Sequence, residues 1–167
     1  MLDSLSSVLR HAARAIVLDA DDRLLLCRHS LEDRAATVVW AAPGGGVEPT
    51  EAPLAALRRE LREEIGLAVE TDPPHIWHQE VHAPGHAPGF DAVVGDFYLV
   101  RTTSFTPRGA LSDHEPAAEN ITDFRWWRLP GISGYRGADV FAPRDLATLL
   151  QVLMTEAMPR RPVLLGL

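Results

Sequence analysis

Apolar residues along the chain fall into short runs separated by polar turns, a pattern that predicts β-strands. Residues 12–18 and 23–27 predict the two strands of a hairpin. Aspartates dominate the intervening residues 19–22, and aspartate side chains bond to nearby backbone in turns. Residues 38–41 predict a further short strand, which ends before the glycines at 44–46. The first part of the chain is therefore expected to build a sheet.

The second half continues the pattern of strands and adds a helix. Strands are predicted over residues 75–81, 92–102 and 123–129. Residues 143–158 predict a closing helix with an apolar side. That side consists of Leu146, Leu149, Leu150 and Leu153. Residues 1–14 carry apolar side chains at helical spacing and predict a short amphipathic helix. Mixed strands and helices imply an α/β layered fold.

The most regular helical pattern covers residues 51–65. Its apolar stripe, expected to face the sheet, consists of Leu54, Leu57, Leu61 and Ile65. On a helical wheel, Glu60, Glu63 and Glu64 share one flank directly beside that stripe. Gly66 follows the helix, where a C-cap favours a residue that tolerates positive φ. The sequence therefore predicts three carboxylates at the edge of the core.

This arrangement of carboxylates has a cost and two interpretations. Glu60 and Glu64 are like charges one turn apart, which costs about 0.2–0.5 kcal/mol, and an attractive pair of Arg59 with Glu63 offsets part of it. The ordinary interpretation of such a charge run is a solvated acidic face. The position beside the core and near a glycine-rich turn instead favours a site for Mg²⁺ or Mn²⁺, which prefer oxygen ligands.

Residues 45–67 resemble the Nudix box, Gly-x5-Glu-x7-Arg-Glu-U-x-Glu-Glu-x-Gly-U, in which U is a bulky aliphatic residue. Every fixed position is filled, by Gly45, Glu51, Arg59, Glu60, Leu61, Glu63, Glu64, Gly66 and Leu67. The preceding residues 40–45 are similar to the family's approach strand and turn. The resemblance implies a Nudix fold, an α/β/α sandwich around a mixed β-sheet, as a single domain over residues 1–167. It also implies hydrolysis of a pyrophosphate bond in a nucleoside diphosphate linked to another group.

The resemblance assigns the divalent cation to carboxylates. Glu63 and Glu64 are implied metal ligands, and Glu60 is implied as a ligand or as the base that acts on water. A fourth carboxylate is expected from the loop before a late strand, where Glu119 precedes Trp126 by seven residues. The same loop offers Glu115, Asp113 and His114 as alternatives, and a capping or solvated role for Glu119 remains open.

Other residues of the box are expected to position these carboxylates. The resemblance implies that Arg59 orients them through a salt bridge and that Glu51 fixes the loop against the helix. The carbonyl of Gly45, or of Gly44, is a further expected metal ligand, because glycine lets the backbone approach closely. Gly66 completes the structural motif as the end of the helix.

Aromatic and histidine side chains are candidates for substrate contact. Trp40 and Trp127 could stack on a base, although packing in the core is the ordinary role of tryptophans in strands. In adjacent Trp126 and Trp127, strand alternation points one ring outwards. His82 and His86 belong to a Pro- and Gly-rich loop, residues 82–89, that is expected to influence specificity.

Two cysteine- and histidine-based alternatives are less favoured. A zinc cluster would use His75, His78, His82 and His86, but no cysteine supports it and strand-plus-loop roles are more common. Cys27 lies in an apolar strand and is expected to be a small buried residue.

Composition and charge limit the kinds of partner that the chain is expected to bind. The chain has 167 residues and a formal net charge of −7, which argues against bulk attraction to nucleic acid or to an acidic membrane. A single cysteine excludes an intrachain disulfide and, with no apolar run of about 18 residues, favours a cytoplasmic protein. The expected partner is a small nucleotide-type substrate, and a homodimer is compatible with the sequence.

Substrate identity stays open at the level of sequence. Oxidised nucleoside triphosphates, ADP-ribose and nucleotide sugars are all compatible with the resemblance. The alternative class is a non-catalytic Nudix-fold module that senses a nucleotide. The intact box favours the enzyme, because such modules usually carry a degraded box.

Overall fold

The computed structural model describes residues 9–32, 34–82, 92–108 and 121–166, which form nine strands and three helices. The strands are β1 (Leu9–Leu18), β2 (Leu24–Ser30), β3 (Val38–Ala41), β4 (Gly44–Gly46), β5 (His75–Val81), β6 (Ala92–Arg101), β7 (Ile121–Trp127), β8 (Val140–Ala142) and β9 (Val163–Leu165). The helices are α1 (Pro53–Ile65), α2 (Leu129–Ser133) and α3 (Leu146–Thr155). None of these helices is long and apolar enough to cross a membrane.

The strands form one mixed sheet in the order β8-β3-β2-β1-β6-β5-β9. β1 and β6 pair in parallel along their whole length, whereas β1 and β2 pair only beside the turn, at Leu18 and Leu24. β4 pairs with β1 farther along the same strand, from Ala12↔Gly46 to Arg14↔Gly44. β7 pairs with β2. The separation of β1 from β2 therefore makes room for the glycine strand.

Alternation along β1 divides the core into two layers. Ala13, Ala15 and Val17 pack with the apolar stripe of α1 on one face. Ile16 and Leu18 pack with α2 and α3 on the opposite face. Because helices cover both faces of a mixed sheet, the α/β/α sandwich predicted from the sequence is confirmed.

The predicted elements are largely confirmed, with shifted ends. Strand β5 has the predicted bounds, and the box helix begins at Pro53 because proline fits the first turn of a helix. The amphipathic helix predicted over residues 1–14 is wrong for residues 9–14, which belong to β1 and pair with β6. The strand predicted over residues 123–129 ends at Trp127, because Leu129 begins α2.

Candidate active site

The box helix α1 places its carboxylates as the helical wheel predicts. Leu57, Leu61 and Ile65 are buried against the sheet, and partly buried Leu54 packs at the edge of the same cluster. The helix ends at Gly66, whose φ of 72° lies in the left-handed region and whose N–H bonds to the Arg62 carbonyl. The predicted C-cap is confirmed.

The glycine strand β4 lies directly against both β1 and the box helix. A Cβ on Gly44, which has a φ of 141°, would collide with the Ala13 carbonyl oxygen. A Cβ on Gly45 would lie 2.5 Å from the carboxyl carbon of Glu60. Glycine is therefore required at Gly44, and a Cβ at Gly45 would displace the Glu60 carboxylate, which rests on the Gly45 backbone.

Arg59 holds the turn and the carboxylates together. Its Nη2 donates to Glu51 Oε1 at 2.8 Å and to the Gly46 carbonyl at 3.0 Å, and its Nη1 donates to Glu60 Oε1 at 2.7 Å. Nη1 also lies 3.5 Å from Glu63 Oε2. Hydrogen bonds from Arg59 lower the pKa of Glu51 to about 2, and those to Glu51 and Glu60 raise the pKa of Arg59. The expected salt-bridge contacts of Arg59 and Glu51 are present.

Glu51 also fixes the entry to the helix. Its Oε1 accepts a hydrogen bond from the backbone N–H of Glu48 at 3.2 Å. This bond and the pair with Arg59 connect the segment after β4 to the middle of α1. The loop and the helix are thereby held as one unit.

Glu64 is the most deeply buried of the three carboxylates, with 4% of its surface exposed. Its Oε1 accepts a hydrogen bond from the Cys27 thiol at 3.1 Å. Burial raises the pKa of Glu64 to about 7 and outweighs the opposing influences of Cys27, Arg14 and the Gly44 backbone. A buried carboxyl group with a strongly shifted pKa marks a candidate functional site.

Arg14, which is not among the residues predicted from the sequence, connects this site to a neighbouring cavity. Arg14 Nη1 donates to the Ala42 carbonyl at 3.0 Å, next to the glycine strand. Its charge lowers the pKa of Glu64 and also that of His29. An arginine inside an otherwise apolar strand was the available signal.

The cavity beside Arg14 has a volume of about 400 Å³. Its walls are formed by Arg14, His29, Leu31, Val39, Ala41, Gln79, Phe97, Ala142 and Pro143. Burial, followed by the charge of Arg14, lowers the pKa of His29 to about 4, so the ring is neutral near pH 7. His29 Nε2 is buried with no hydrogen-bond partner among the described residues. The cavity has the size of a small-molecule site and contains a few polar groups.

The donor set on α1 fits a divalent cation. Three carboxylates share one flank beside the backbone of β4, and Glu63 is the most exposed, with 38% of its side chain accessible. The pKa of Glu64 is raised because its buried charge is poorly compensated by the surrounding protein. Oxygen ligands of this kind are those that Mg²⁺ and Mn²⁺ prefer.

The structure places the two candidate tryptophans in the core. Trp40 is 4% exposed and its Nε1 donates to Asp139, while Trp127 is 7% exposed and packs edge-on against Trp40. Trp126 lies on the opposite face of the sheet, where it is partly buried and packs edge-on against Phe105 at the α1-side cluster. The expectation that one ring of the adjacent pair points outwards is therefore wrong, because both faces of the sheet are covered. Packing in the core therefore explains the positions of Trp40 and Trp127, and neither buried ring offers a face for stacking on a substrate.

The structure describes only some of the remaining candidates. His82 is exposed and its ring pairs with Glu80 at 3.2 Å. Glu119, Glu115, Asp113, His114 and His86 lie outside the described residues. Cys27 is buried, as expected, but it also contacts Glu64.

Comparison with known proteins identifies relatives of this chain. Residues 8–144 match the family described as NUDIX domain. The chain is 29% identical to a protein named nucleoside triphosphatase NudI from Escherichia fergusonii over 71% of this chain and 82% of that protein. It is 52% identical to an RNA pyrophosphohydrolase from Halorhodospira halophila over 31% of this chain, and the match spans about a quarter (26%) of that relative's length.

A solved structure shares the fold. The MutT protein from Methanosarcina mazei superimposes with a TM-score of 0.61, at 19% sequence identity. The superposition covers 89% of this chain and 94% of that one. At this identity the likeness concerns the fold alone.

Proposed function

The chain belongs to the Nudix family, whose enzymes hydrolyse pyrophosphate bonds. On that premise we propose that its substrate is a nucleoside triphosphate. The main support for the proposal is that Arg14 lies between the box carboxylates and a cavity. On one side lie the box carboxylates and on the other a cavity of about 400 Å³. Relatives named nucleoside triphosphatase, matched over most of their length, favour the triphosphate over ADP-ribose and nucleotide sugars.

We propose that Glu60, Glu63 and Glu64 hold a divalent cation, Mg²⁺ or Mn²⁺. The support is the donor set: three carboxylates on one flank, with a buried Glu64 whose pKa is raised to about 7. When bound, such a cation would neutralise phosphate charge and lower the pKa of a coordinated water. The backbone of Gly45, in contact with Glu60, is an additional candidate ligand.

The reaction requires water to attack one phosphorus while an anhydride P–O bond breaks. The leaving phosphate takes the electron pair of that bond, and the water must lose a proton. Among the described residues, Arg59 donates to Oε1 of Glu60, which leaves Oε2 to bind the cation or to accept that proton. Arg59 acts as a positioning residue, because its donors are directed at Glu51, Glu60 and the Gly46 carbonyl.

We infer that the cavity beside Arg14 receives the nucleotide. Arg14 supplies positive charge next to the carboxylates, and arginine suits recognition of phosphate. The unpaired Nε2 of His29 and the side chain of Gln79 offer polar contacts in a cavity otherwise lined by apolar groups. Apolar walls with a few placed polar groups are typical of small-molecule sites.

The experiment that tests this proposal is a turnover panel with Mg²⁺ or Mn²⁺. Nucleoside triphosphates, ADP-ribose, a nucleotide sugar and a 5′-triphosphorylated RNA oligomer are compared by kcat/KM. The proposal expects the highest kcat/KM for a nucleoside triphosphate. Preference for the RNA oligomer or for ADP-ribose would contradict it, and tight binding of nucleotides without turnover would favour the sensing module.

Two variants test the cavity within the same panel. Arg14→Gln is expected to raise KM for the triphosphate at least about 10-fold, because a charge-assisted contact to phosphate is lost. Arg101→Gln is the matched control, since Arg101 is an exposed arginine that pairs with Asp22. Equal KM values for the two variants would contradict the placement of the nucleotide in this cavity.

A further inference from the structure

A second group of metal-ligating side chains lies on the sheet, apart from the box carboxylates. His75 and His78 of β5 and Asp96 of β6 present ligand atoms that all lie within 4.8 Å of one another. His11 of β1 contacts the other oxygen of the same carboxylate, because its Nε2 lies 2.5 Å from Asp96 Oδ2. The cluster therefore draws its members from three neighbouring strands.

Strand register explains why these residues meet. His78 stands directly opposite Asp96 in the β5–β6 pair, and His11 lies on the strand that pairs with the other edge of β6. A register shift between His75 and Trp77 brings His75 opposite Tyr98, and the two rings stack 4.8 Å apart. The imidazoles are thus directed at one carboxylate by backbone pairing rather than by loops.

The carboxylate at the centre is almost fully buried. Asp96 is 7% exposed and its Oδ1 lies 2.6 Å from His78 Nδ1 and 2.8 Å from His75 Nε2. Burial alone would raise the pKa of Asp96, but contacts with His78 and His11 outweigh it and lower the pKa. Asp96 is therefore ionised and offers an anionic ligand to any cation.

His75 carries the strongest indication that the cluster is incomplete. Its Nε2 has no solvent contact and, despite the short distance to Asp96, no hydrogen bond of acceptable geometry among the described residues. A buried nitrogen without a hydrogen bond costs free energy. A cation between His75 and Asp96 would satisfy it.

The surroundings also orient one ligand as metal sites require. His78 Nε2 pairs with Glu80 Oε1 at 3.0 Å, which leaves Nδ1 directed at Asp96. A carboxylate on the far nitrogen of a histidine fixes the ring and its tautomer in metal centres. Glu80 Oε2 also lies 3.2 Å from the ring of His82, which is exposed and is not a member of the cluster.

We propose that His75, His78 and Asp96 bind a Zn²⁺-class cation with water as the fourth ligand, while His11 holds the second oxygen of Asp96. Two imidazole nitrogens and one carboxylate oxygen form a three-residue set of the kind that suits Zn²⁺, whereas Mg²⁺ favours oxygen alone. Ligand atoms around Zn²⁺ lie about 3.3 Å apart for bonds of about 2.0–2.1 Å, so the two ring nitrogens, now 2.6 and 2.8 Å from Asp96 Oδ1, must withdraw by about 0.5–0.7 Å. The partly exposed His75 and His78 have room to do so.

The role we assign to this cation is a structural tie across β1, β5 and β6. His11 accepts a hydrogen bond through its carbonyl from the N–H of Val47, the residue that follows β4. His11, which holds the ligand Asp96 from β1, is therefore coupled to the strand that supports the glycine turn. The site differs from the zinc cluster considered from the sequence, because Asp96 replaces His82 and His86.

The test uses Co²⁺ as a spectroscopic probe for Zn²⁺ on the untagged chain, with excess Mg²⁺ to occupy the box. The wild-type chain is expected to bind one equivalent of Co²⁺ with the intense visible bands of tetrahedral coordination, and Zn²⁺ should displace it. His75→Gln and His78→Gln should each weaken binding at least about 10-fold. The matched control His82→Gln should keep the affinity within about twofold, and Glu60→Gln with Glu64→Gln should keep the bands.

Thermal unfolding provides a second readout. Zn²⁺ at about 100 times its Kd should raise the Tm of the wild type by about 5–10 °C and leave that of His78→Gln unchanged. Absence of tetrahedral bands in the wild type would overturn the proposal, and this measurement does not depend on the folding of a variant. Bands that disappear in the Glu60→Gln, Glu64→Gln protein but persist in His78→Gln would assign the ion to the box instead.

Discussion

The Cys27 thiol on β2 donates a hydrogen bond to Oε1 of Glu64 on α1 at 3.1 Å, across the layer that separates sheet and helix. Both side chains are buried, and burial followed by the nearby Glu64 charge raises the pKa of Cys27. The sulfur is a weak donor, so it compensates little of the charge on the carboxylate. Glu64 is therefore held in an environment that does not favour its ionised form unless a cation is bound.

This environment predicts an unusual pH dependence of stability without metal. The pKa of Glu64 in the folded chain, about 7, exceeds its ordinary value of 4.5. The protonated form therefore stabilises the fold fully below about pH 4.5, and this contribution is lost as the pH rises through 7. In EDTA at pH 8, Glu64→Gln should be more stable than the wild type by up to about 3 kcal/mol.

Urea unfolding of the two proteins at pH 4.5 and pH 8 measures this difference. The gap between them should close at the lower pH. Glu70→Gln, a change at an exposed glutamate, should follow the wild type at both values. A Glu64→Gln protein that is less stable than the wild type at pH 8 in EDTA would contradict the assignment of an uncompensated charge.

The glycine strand offers a pair of matched substitutions. Gly45→Ala places a methyl group 2.5 Å from the Glu60 carboxyl carbon, whereas a Cβ on Gly46 meets nothing within 4 Å. Displacing Glu60 by about 1 Å should lower kcat about 100-fold. Gly46→Ala should keep kcat within about twofold. Steady-state kinetics on the best substrate compares the two, and equal kcat values would mean that the contact of Glu60 with Gly45 does not matter.

Arg59 is expected to act through Glu60 and Glu51 as one unit. Arg59→Ala should lower kcat about 10- to 100-fold because Glu60 loses its orientation. Arg58→Ala is the control on the adjacent position, where the guanidinium bonds to Val69, Thr71 and Asp72 outside the site. Arg58→Ala should lower the free energy of unfolding and leave kcat unchanged.

A double-mutant cycle separates positioning by Arg59 from an independent role. Glu51→Gln should reduce kcat in the wild type and have a much smaller effect once Arg59 is alanine, because residues in one network are not additive. Additive losses would show that Glu51 and Arg59 act independently, against the contacts of 2.8 and 2.9 Å that join them.

Glu119 remains a prediction of the sequence. If it is a fourth acidic ligand, Glu119→Gln should lower kcat and Mn²⁺ affinity with little loss of stability, because removal of a clustered like charge relieves repulsion. Glu115→Gln and His114→Ala are made in parallel. Loss of activity in Glu115→Gln alone would move the ligand by four residues, and full activity in all three would confine the site to the box.

Periodicity was sufficient to predict the box helix and its carboxylate flank, because burial of Leu57, Leu61 and Ile65 fixes the rotation of the helix. The strand of Gly44–Gly46 could not be predicted, since glycines carry no side-chain pattern and the strand forms by pairing with β1. The apolar spacing of residues 9–14 suits either a helix or a strand, and the parallel pairing with β6 decides for the strand.

Contacts between distant strands were also beyond the sequence. The meeting of His11, His78 and Asp96 depends on the register of β1, β6 and β5, which periodicity does not define. Alternation placed Trp126 and Trp127 on opposite faces, but it could not show that both faces are covered. Trp127 packs against Trp40 in one layer, and Trp126 packs against Phe105 in the other.

The most direct measurement is the initial rate of Glu64→Gln on the best nucleotide of the panel, with saturating Mg²⁺ or Mn²⁺. A carboxylate that holds the cation stabilises charge at the reacting phosphate, so kcat should fall at least about 100-fold, while Glu70→Gln keeps the wild-type rate. The native fold of the variant is checked by its cooperative unfolding in EDTA. A folded Glu64→Gln protein that turns over the substrate at the wild-type rate would contradict the assignment of the active site to the box helix.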